Sequence, residues 1–529
     1  MTDVIAEFLV TVDDEVLPTV LLFLRGTPFP PWSSQELGIS DKLIVKILSQ
    51  VSGLSENKLD DIMRELGDLG AVAEQVLVQK PQTTLFSQTL SVEKVKENIN
   101  RMVQLTGKGS QDRKLAYVSE LLSNAQPIDS RYLVRLILAQ LRIGVGDGTI
   151  RDAISKAYGV DPASVERAYN LRPDWGEVAL TAKKSGDDGL AEYGIVVGNP
   201  IKVMLAQKAE SLKQIMSELG EVELEVKYDG ARVQIHKNGN DVKLYTRRLE
   251  DVTVQFPEIV EGALHNIKST SCVVEGEIVA ISPDDRRPLP FQNLSRRIKR
   301  KYNIGEMVEK IPAEVNLFDI IFLDGKDKLA TPFIERRELL SKIVNPTERF
   351  RIAENLVTSD LPSAEKFYKK SLIAGHEGVM VKVLSAPYQP GSRVGYMYKI
   401  KPVMESLDLV VTGATWGEGR RASWLGSYLL SAYDSEIGQF LEIGRMATGL
   451  TDEQLAELTE MFKPLITAEK GNEVSIKPEI VFEVAYEEIQ KSPTYSSGYA
   501  LRFPRLVRVR EDKGVEEADN LARVESLIT

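Results

Sequence analysis

At 529 residues the chain exceeds one hydrophobic core, since single domains usually hold ~100 to 200 residues, so two to four domains are expected. Hydrophobic residues at 43% and charged ones at 27% leave no compositional case for disorder, and no apolar stretch approaches the ~18 residues of a membrane span. One cysteine, Cys272, excludes an intrachain disulfide and a cysteine-built zinc site, the three histidines show no ligand spacing, and the net charge of -11 argues by itself against a polyanionic partner.

The start, Met1 to Val10, carries Asp3 and Glu7 rather than a basic leader, so cytoplasmic residence is expected. Apolar residues at three and four spacing then predict helices over Leu43–Val51, Lys58–Leu69, Val92–Leu105, Arg113–Ser123 and Ser130–Leu141. Glycines from Arg142 to Thr149 interrupt before a helix at Ile150–Tyr158. That helix's free N–H groups either hold a DNA phosphate or belong to a plain helix-turn-helix connection. Near Val196–Pro200 the pattern changes, and from Val222 short alternating strands dominate, with Asn238-Gly239-Asn240 turning a hairpin between Val233 and Tyr245. Strands are expected at Cys272–Ile281, Val315–Leu323 and Gly378–Val383, with helices at Glu335–Ile343 and Ala364–Ala374. Pro402 to Ser406 closes this mixed domain. Beyond it, strands at Leu407–Thr415, Ser427–Tyr433, Phe440–Ile443 and Glu479–Tyr486 with a helix at Asp452–Phe462 suit a small β-barrel.

Local charge qualifies the net value. Basic residues gather at Arg296, Arg297, Lys299, Arg300 and Lys301, at Arg502, Arg505, Arg508 and Arg510, and more thinly from Arg101 to Arg142. Each cluster either follows a phosphate backbone or is a solvated face.

The sharpest signal is Glu225-Val226-Lys227-Tyr228-Asp229-Gly230-Ala231-Arg232, in which a strand delivers a lysine into a turn that Gly230 makes possible. A lysine at a strand end usually faces solvent. Company at long range points elsewhere: Glu275-Gly276-Glu277, Glu377-Gly378-Val379-Met380-Val381-Lys382 and Lys399-Ile400-Lys401 follow in order. Alternation puts Glu275 with Glu277, and Lys399 with Lys401, on one face each, so both pairs are expected to share a cleft. Carboxylates suit Mg2+ and cations suit phosphate. Lys399, Lys401 and Arg232 beside Lys227 would disfavour its charged form and free the amine for attack.

These four segments resemble the ordered motifs of the covalent nucleotidyltransferases, specifically the archaeal and eukaryotic-type ATP-dependent DNA ligases. Leu289-Pro290-Phe291-Gln292, Asn316-Leu317-Phe318-Asp319, Gly413 with Gly419-Arg420-Arg421, Leu501-Arg502-Phe503-Pro504-Arg505 and Arg510-Glu511-Asp512-Lys513 extend the likeness over essentially the whole chain. The resemblance implies an all-α DNA-binding domain at 1–205, an α+β adenylation domain at 206–405 and a C-terminal OB-fold at 406–529. It implies ATP and Mg2+, nicked duplex DNA as substrate, and work in replication, repair and recombination by a monomer beside the nucleoid.

Carried over by position, it makes Lys227 the nucleophile on the α-phosphate, with Lys399 and Lys401 neutralising charge there. Glu225 is expected at the adenine edge, Phe318 stacked on the base with Met380 at its other face, and Arg232, Arg247 and Arg393 on the ribose or phosphates. Glu277 and Glu377 are expected on the metal, and Arg510, Asp512 and Lys513 on the leaving pyrophosphate. Three positions depart from the usual pattern: Glu275 where aspartate is common, Met397 where tryptophan often precedes the paired lysines, and Val203 where proline is common. They bear on pocket packing, and ATP stays the expected nucleotide.

Gln82-Thr83-Thr84-Leu85-Phe86-Ser87 resembles the peptide with which such ligases engage a sliding clamp, through Gln82, Leu85 and Phe86; such a triplet in a connector also arises by chance. The rival readings are an RNA ligase or a capping-type nucleotidyltransferase, against which the helical N-terminal region argues, and an inactive DNA-end-binding scaffold, which has no need of an amine nucleophile.

Overall fold

The computed structural model describes residues 1–78, 90–107, 109–300, 302–402, 404–417, 421–447 and 449–528. The clamp-like residues Gln82, Leu85 and Phe86 lie outside these, as do Lys301, Gly419 and Arg420. The chain divides into two compact units, Met1–Lys401 and Pro402–Thr529.

The first unit begins with helices only, from Thr2–Thr11 to Trp175–Ala191 among the described residues. They form two cores. One gathers residues of 37–137, including Ile44, Leu59, Val72, Ile99 and Val134. The other packs the first two helices, through Leu9, Leu17 and Leu21, against Ile150, Val165 and Val178. Short polar residues set the starts: the Ser55, Asp68 and Ser91 side chains accept from the backbone N–H groups of Lys58, Ala71 and Lys94. Each such cap is worth about 1 kcal/mol. The helix expected over Lys58–Leu69 ends at Leu66, because Gly67 turns left-handed at φ 65° and Asp68 caps a new helix at Leu69–Val76. The one expected to reach Leu141 stops at Ile137, ahead of Ala139 at φ 53°.

After Ala191 the chain enters two sheets. In chain order the strands are β1 (Gln207–Lys208), β2 (Val222–Lys227), β3 (Ala231–Asn238), β4 (Asp241–Thr246), β5 (Ser271–Ala280), β6 (Ala313–Leu323), β7 (Lys326–Asp327), β8 (Phe350–Ile352), β9 (Asn355–Thr358), β10 (Gly378–Val383) and β11 (Met397–Ile400). One sheet runs β1-β11-β10-β2-β9 and the other β4-β3-β5-β6-β7, with β8 alongside β6. Consecutive strands β2 and β3 belong to different sheets, so the turn Tyr228-Asp229-Gly230 carries the chain from one to the other. A helix at Leu361–Ile373 covers the first sheet through Ala364 and Phe367. Helices at Pro257–Asn266, Phe291–Ile298 and Phe333–Ile343 cover the second.

Two buried arginines hold these layers. Arg336 is fully buried, with both nitrogens of its fork on Asp319 at 2.8 and 3.0 Å. Arg297, read from sequence as part of a basic cluster, is also fully buried: it ion-pairs with Glu258 at 2.5 Å and lies 4.6 Å from the Phe256 ring centre. Truncating either partner would leave a buried charge alone, at a cost of roughly 3–5 kcal/mol. Arg296, Lys299 and Arg300 stay exposed.

The second unit holds β12 (Leu407–Trp416), β13 (Leu425–Asp434), β14 (Gln439–Met446), β15 (Ile466–Lys470), β16 (Glu473–Ile476), β17 (Val481–Ala485), β18 (Glu488–Lys491), β19 (Tyr499–Arg502) and β20 (Arg505–Val509). β12 pairs with β13 on one side; on the other its first half pairs with β17 and its second with β16. A bulge between Val411 and Gly413 lies where the partner changes. Tyr428, Phe462 and Phe482 pack at 5.2–5.7 Å in the core, beneath the helix Asp452–Phe462. No helix among the described residues is long and apolar enough to cross a membrane.

Candidate active site

Antiparallel pairing of β10 with β2 sets Gly378 opposite Lys227 and Met380 opposite Glu225, and pairing of β10 with β11 sets Met380 opposite Lys399. Three of the four motif segments thus lie on adjacent strands. Gly378 is required twice over: its φ is 136°, and an added Cβ would lie 2.2 Å from the Ile400 carbonyl oxygen. Gly230 has the same kind of role in the turn, where a Cβ would lie 2.2 Å from the carbonyl oxygen of Ile278 on β5. That close approach brings Glu277, paired in register with Arg232, beside the turn that follows Lys227.

The Lys227 ammonium is ion-paired with Glu377, whose other cationic partner, Lys401, is 3.0 Å away, and the Glu377 N–H donates to the Lys227 carbonyl at 3.0 Å. The sequence reading put cations nearest to Lys227. The structure puts a carboxylate there, because Glu377 directly precedes the glycine opposite Lys227, and Lys401 sits beyond that carboxylate. Burial works to raise Glu377, yet Lys227 and then Lys401 overcome it and hold the carboxyl at about 2. Glu277 has the opposite balance: burial pushes it up to about 7 against the pull of Lys227 and Arg232, and the negative charges of Glu377 and Asp229 add to the rise. Asp229 accepts from the Phe291 N–H at 3.0 Å and so caps the helix Phe291–Ile298.

Around Glu277 the cations outnumber their partners. Arg232 donates to Glu275 at 2.7 Å and to the Met204 carbonyl at 2.8 Å, but its buried Nε has no hydrogen-bond partner among the described residues. Arg247 is held below the ordinary arginine range, by burial and then by the charges of Arg232 and Arg393, with Glu277 opposing. Neither Arg247 nor Arg393 has an ion pair among the described residues. An Arg247 guanidinium repelled by Arg232 and Arg393, beside a carboxyl raised to about 7, forms a place where phosphate would relieve strain. Glu275, expected to share the cleft with Glu277, is instead wholly buried between Arg232 and the Tyr388 hydroxyl, 2.9 Å away.

Phe318 owes its position to a register shift: Glu275 pairs with Asp319 but Gly276 pairs with Leu317, leaving Phe318 as the extra residue in a bulge. Bulges re-aim a side chain in a way sequence alternation does not show. Lys382 lies 4.5 Å and Arg232 5.4 Å from its ring centre. Met380 packs against the cluster of Met204, Tyr388 and Met397. A cavity of about 10 Å³, lined by Phe318, Arg232, Lys382, Met204, Tyr388 and Met397 among others, has room for one water-sized body. Glu225 is buried with Lys382 at 2.5 Å.

Arg393 rides on the loop between β10 and β11, which the segment before β1 supports: the Leu205 N–H donates to Ser392 at 2.9 Å. Gly391 in that loop, at φ 74°, lies against the Asn170 side chain of the helical region, where a Cβ would come within 2.4 Å of Oδ1. Sequence reasoning missed Asn170, Tyr388 and Arg337; nothing in their local pattern signals the contacts.

The remaining expected residues belong to the second unit. Arg510 and Lys513 both reach Asp408 Oδ2 at 2.7 Å, and Arg510 holds Asp512 through two bonds of 2.8 Å. That hydrogen bond keeps Asp512 well below the usual carboxylate range. The other arginines of this cluster are paired as well: Arg502 with Glu488 at 3.1 Å and Arg508 with Glu483 at 2.8 Å.

Comparison with known proteins gives one answer along the chain. Residues 203–401 match the model described as ATP dependent DNA ligase domain, residues 1–155 the DNA ligase N terminus, and residues 421–513 the ATP dependent DNA ligase C terminal region. The DNA ligase of Thermococcus onnurineus (strain NA1) is 48% identical over 99% of this chain and 94% of its own length. That of Archaeoglobus fulgidus is 47% identical over 100% and 94%. A solved structure named Pmar-Lig_Pre. is 19% identical, with a TM-score of 0.53 over 88% of this chain and 99% of that one, and shares the fold.

Proposed function

Because the chain belongs to the ATP-dependent DNA ligases, we propose that it joins nicked DNA through an AMP carried on Lys227. The observation that carries this is the setting of Lys227: an amine ion-paired with Glu377, beside Glu277 and a group of guanidiniums with unused donors. The amine sheds a proton and its ion pair, attacks the α-phosphorus of ATP, and forms a P–N bond as the bond to pyrophosphate breaks. AMP then passes to the 5′-phosphate at the nick, and the adjacent 3′-hydroxyl attacks that phosphate and expels AMP.

Arg232, Arg247 and Arg393 would bind ATP phosphate or ribose oxygens, and Lys399 and Lys401 would offset charge growing on the α-phosphate. Glu225 would meet the adenine edge, with Phe318 and Met380 against the ring. Arg510, Asp512 and Lys513 would orient the pyrophosphate.

Glu277 and Glu377 fit Mg2+, which usually sits between one or two carboxylates and substrate phosphates. A carboxyl raised to about 7 by burial gains from a cation, and among the described residues no group of three or more acidic, histidine or cysteine side chains forms a separate metal cage. Mg2+ held there would supply positive charge to the reacting phosphates.

The domain assignment of 1–205 as all-helical and DNA-binding, 206–405 as adenylating and 406–529 as an OB-fold rests on helices alone among the described residues before β1 and on the curled pairing of β12. A monomer beside the cytoplasmic DNA suffices, since one chain carries every residue named.

The test is a pulse of Mg2+ and ATP labelled on the α-phosphate, chased with nicked duplex DNA. Label that forms on the protein and leaves with a sealed product is expected. Label that survives a DNA chase but leaves with nicked RNA would replace this reading with an RNA ligase, and no label would favour a scaffold.

A further inference from the structure

Lys382 is part of the segment that supplies Glu377, yet the reaction as derived gives it no task. It is a lysine at 5% exposure on β10. Its register partner is Glu223, and on the same strand face Met380 pairs with Glu225. The ammonium is 2.5 Å from Glu225 Oε2, and 4.5 and 4.6 Å from the ring centres of Phe318 and Phe333. A buried lysine lodged between two aromatic faces and one carboxylate is fixed on several sides. Glu225 Oε1 is buried without a hydrogen bond among the described residues. Arg337 lies 3.6 Å from it, but donates instead to the carbonyls of Leu317 and Ala353.

We propose that Lys382 is the positioning residue for base selection: it holds Glu225 by one oxygen, so that the other is left as an acceptor for the 6-amino group of adenine. This rests on the assignment of Glu225 to the adenine edge. An ionised carboxylate only accepts. Adenine offers it an amine; guanine and hypoxanthine offer a carbonyl oxygen, and two facing acceptors share no proton. Leaving such a buried group unsatisfied costs roughly 10- to 100-fold in binding. The lysine fixes the angle of that carboxylate. Without it, the carboxylate can turn, and its second oxygen no longer meets the 6-amino group of adenine. Phe318, which stacks on the base in the same reading, is held by the same ammonium, so one side chain aligns the surface that supports the base and the group that reads it.

The experiment uses the full chain and measures covalent labelling of the protein with ATP and with inosine triphosphate, separating KM from kcat. Wild type is expected to prefer ATP by about 10- to 100-fold, mainly in KM. Lys382→Met should cut that preference about tenfold or more by raising KM for ATP, and Lys382→Arg, which keeps the charge, should restore most of it. If Lys382→Met does not fold, Lys382→Gln takes its place with the same expectation. A variant that is slower but keeps the wild-type preference makes Lys382 merely structural and overturns the inference, as does a wild type that accepts both nucleotides equally. Glu225→Gln separates this inference from its premise. Preference lost in Glu225→Gln but kept in Lys382→Met sinks the role of Lys382 alone, whereas preference kept in both removes Glu225 from the adenine edge.

Discussion

Around Asp408 every cation has a carboxylate: Arg510 and Lys513 share Asp408, Arg510 also holds Asp512, and Arg508 holds Glu483. Around Lys227 the pairing is incomplete. Among the described residues Arg247 and Arg393 have no ion pair and Arg232 keeps an unused buried donor, and burial raises the Glu277 carboxyl to about 7. Both are dense clusters of residues expected to meet the same nucleotide. The two differ in how far their cations are balanced without a ligand. In the second cluster every cation is paired, although the buried Asp408 Oδ1 has no hydrogen bond among the described residues, so the cluster would give up internal bonds to act on pyrophosphate. The first holds charge that only phosphates and a cation would balance, and such prearranged charge is the main source of rate in phosphoryl transfer.

Glu277→Gln should break the first cluster most severely. Adenylate formation is expected to fall about 100-fold or more, while the protein itself gains stability at alkaline pH. The sign follows from the raised carboxyl. Its folded value of about 7 lies above the ordinary glutamate value of 4.5, so the stability it contributes is complete below 4.5 and is lost as pH rises through 7. In chelator at pH 8 the amide variant should therefore be the more stable by about 1 to 3 kcal/mol, and the gap should close by pH 4.5. Denaturant melts across that range measure it; a gap that does not change with pH would mean Glu277 is ionised at no cost.

Arg247→Met sharpens the same point at lower amplitude. Removing one of three repelling guanidiniums should raise KM for ATP about tenfold and leave the nucleotide-free melting temperature unchanged or higher. A lower melting temperature would show that Arg247 is a structural residue. The smallest effect is expected in the other cluster. Asp408→Asn removes the shared carboxylate of Arg510 and Lys513, and freeing them should speed labelling at saturating ATP by no more than about fivefold, since Asp512 and Glu483 still hold Arg510. Slower labelling would mean that the internal pairing helps the reaction.

Much of this was legible in the sequence where backbone pattern decides. The strand at Gly378–Val383 and the hairpin around Gly239 follow from alternation and turn residues. The company of Lys227 and Glu377 was legible as ordered motif segments and a family resemblance, while the register of β2 with β10 that joins them appears only in the structure. What escaped depended on contacts distant in sequence. Arg297 reads as one of five basic residues, but packing against Phe256 and Glu258 makes it core. The run from Arg502 to Arg510 reads as a basic stripe, but its partners lie on β12, β17 and β18. Phe318 is aimed by a bulge, and the break at Gly67 was visible in composition yet overridden by an apolar period that runs through it. Alternation also put Glu275 and Glu277 in one cleft; burial separates them, because Arg232 and Tyr388 take up the first.

The most direct measurement is to digest the protein after incubation with Mg2+ and ATP and locate the bound AMP by mass spectrometry of the peptides. The account predicts a single acid-labile adenylate on Lys227, absent when nicked DNA is added before digestion. AMP on Lys399, Lys401 or any other side chain, with Lys227 unmodified, would contradict it.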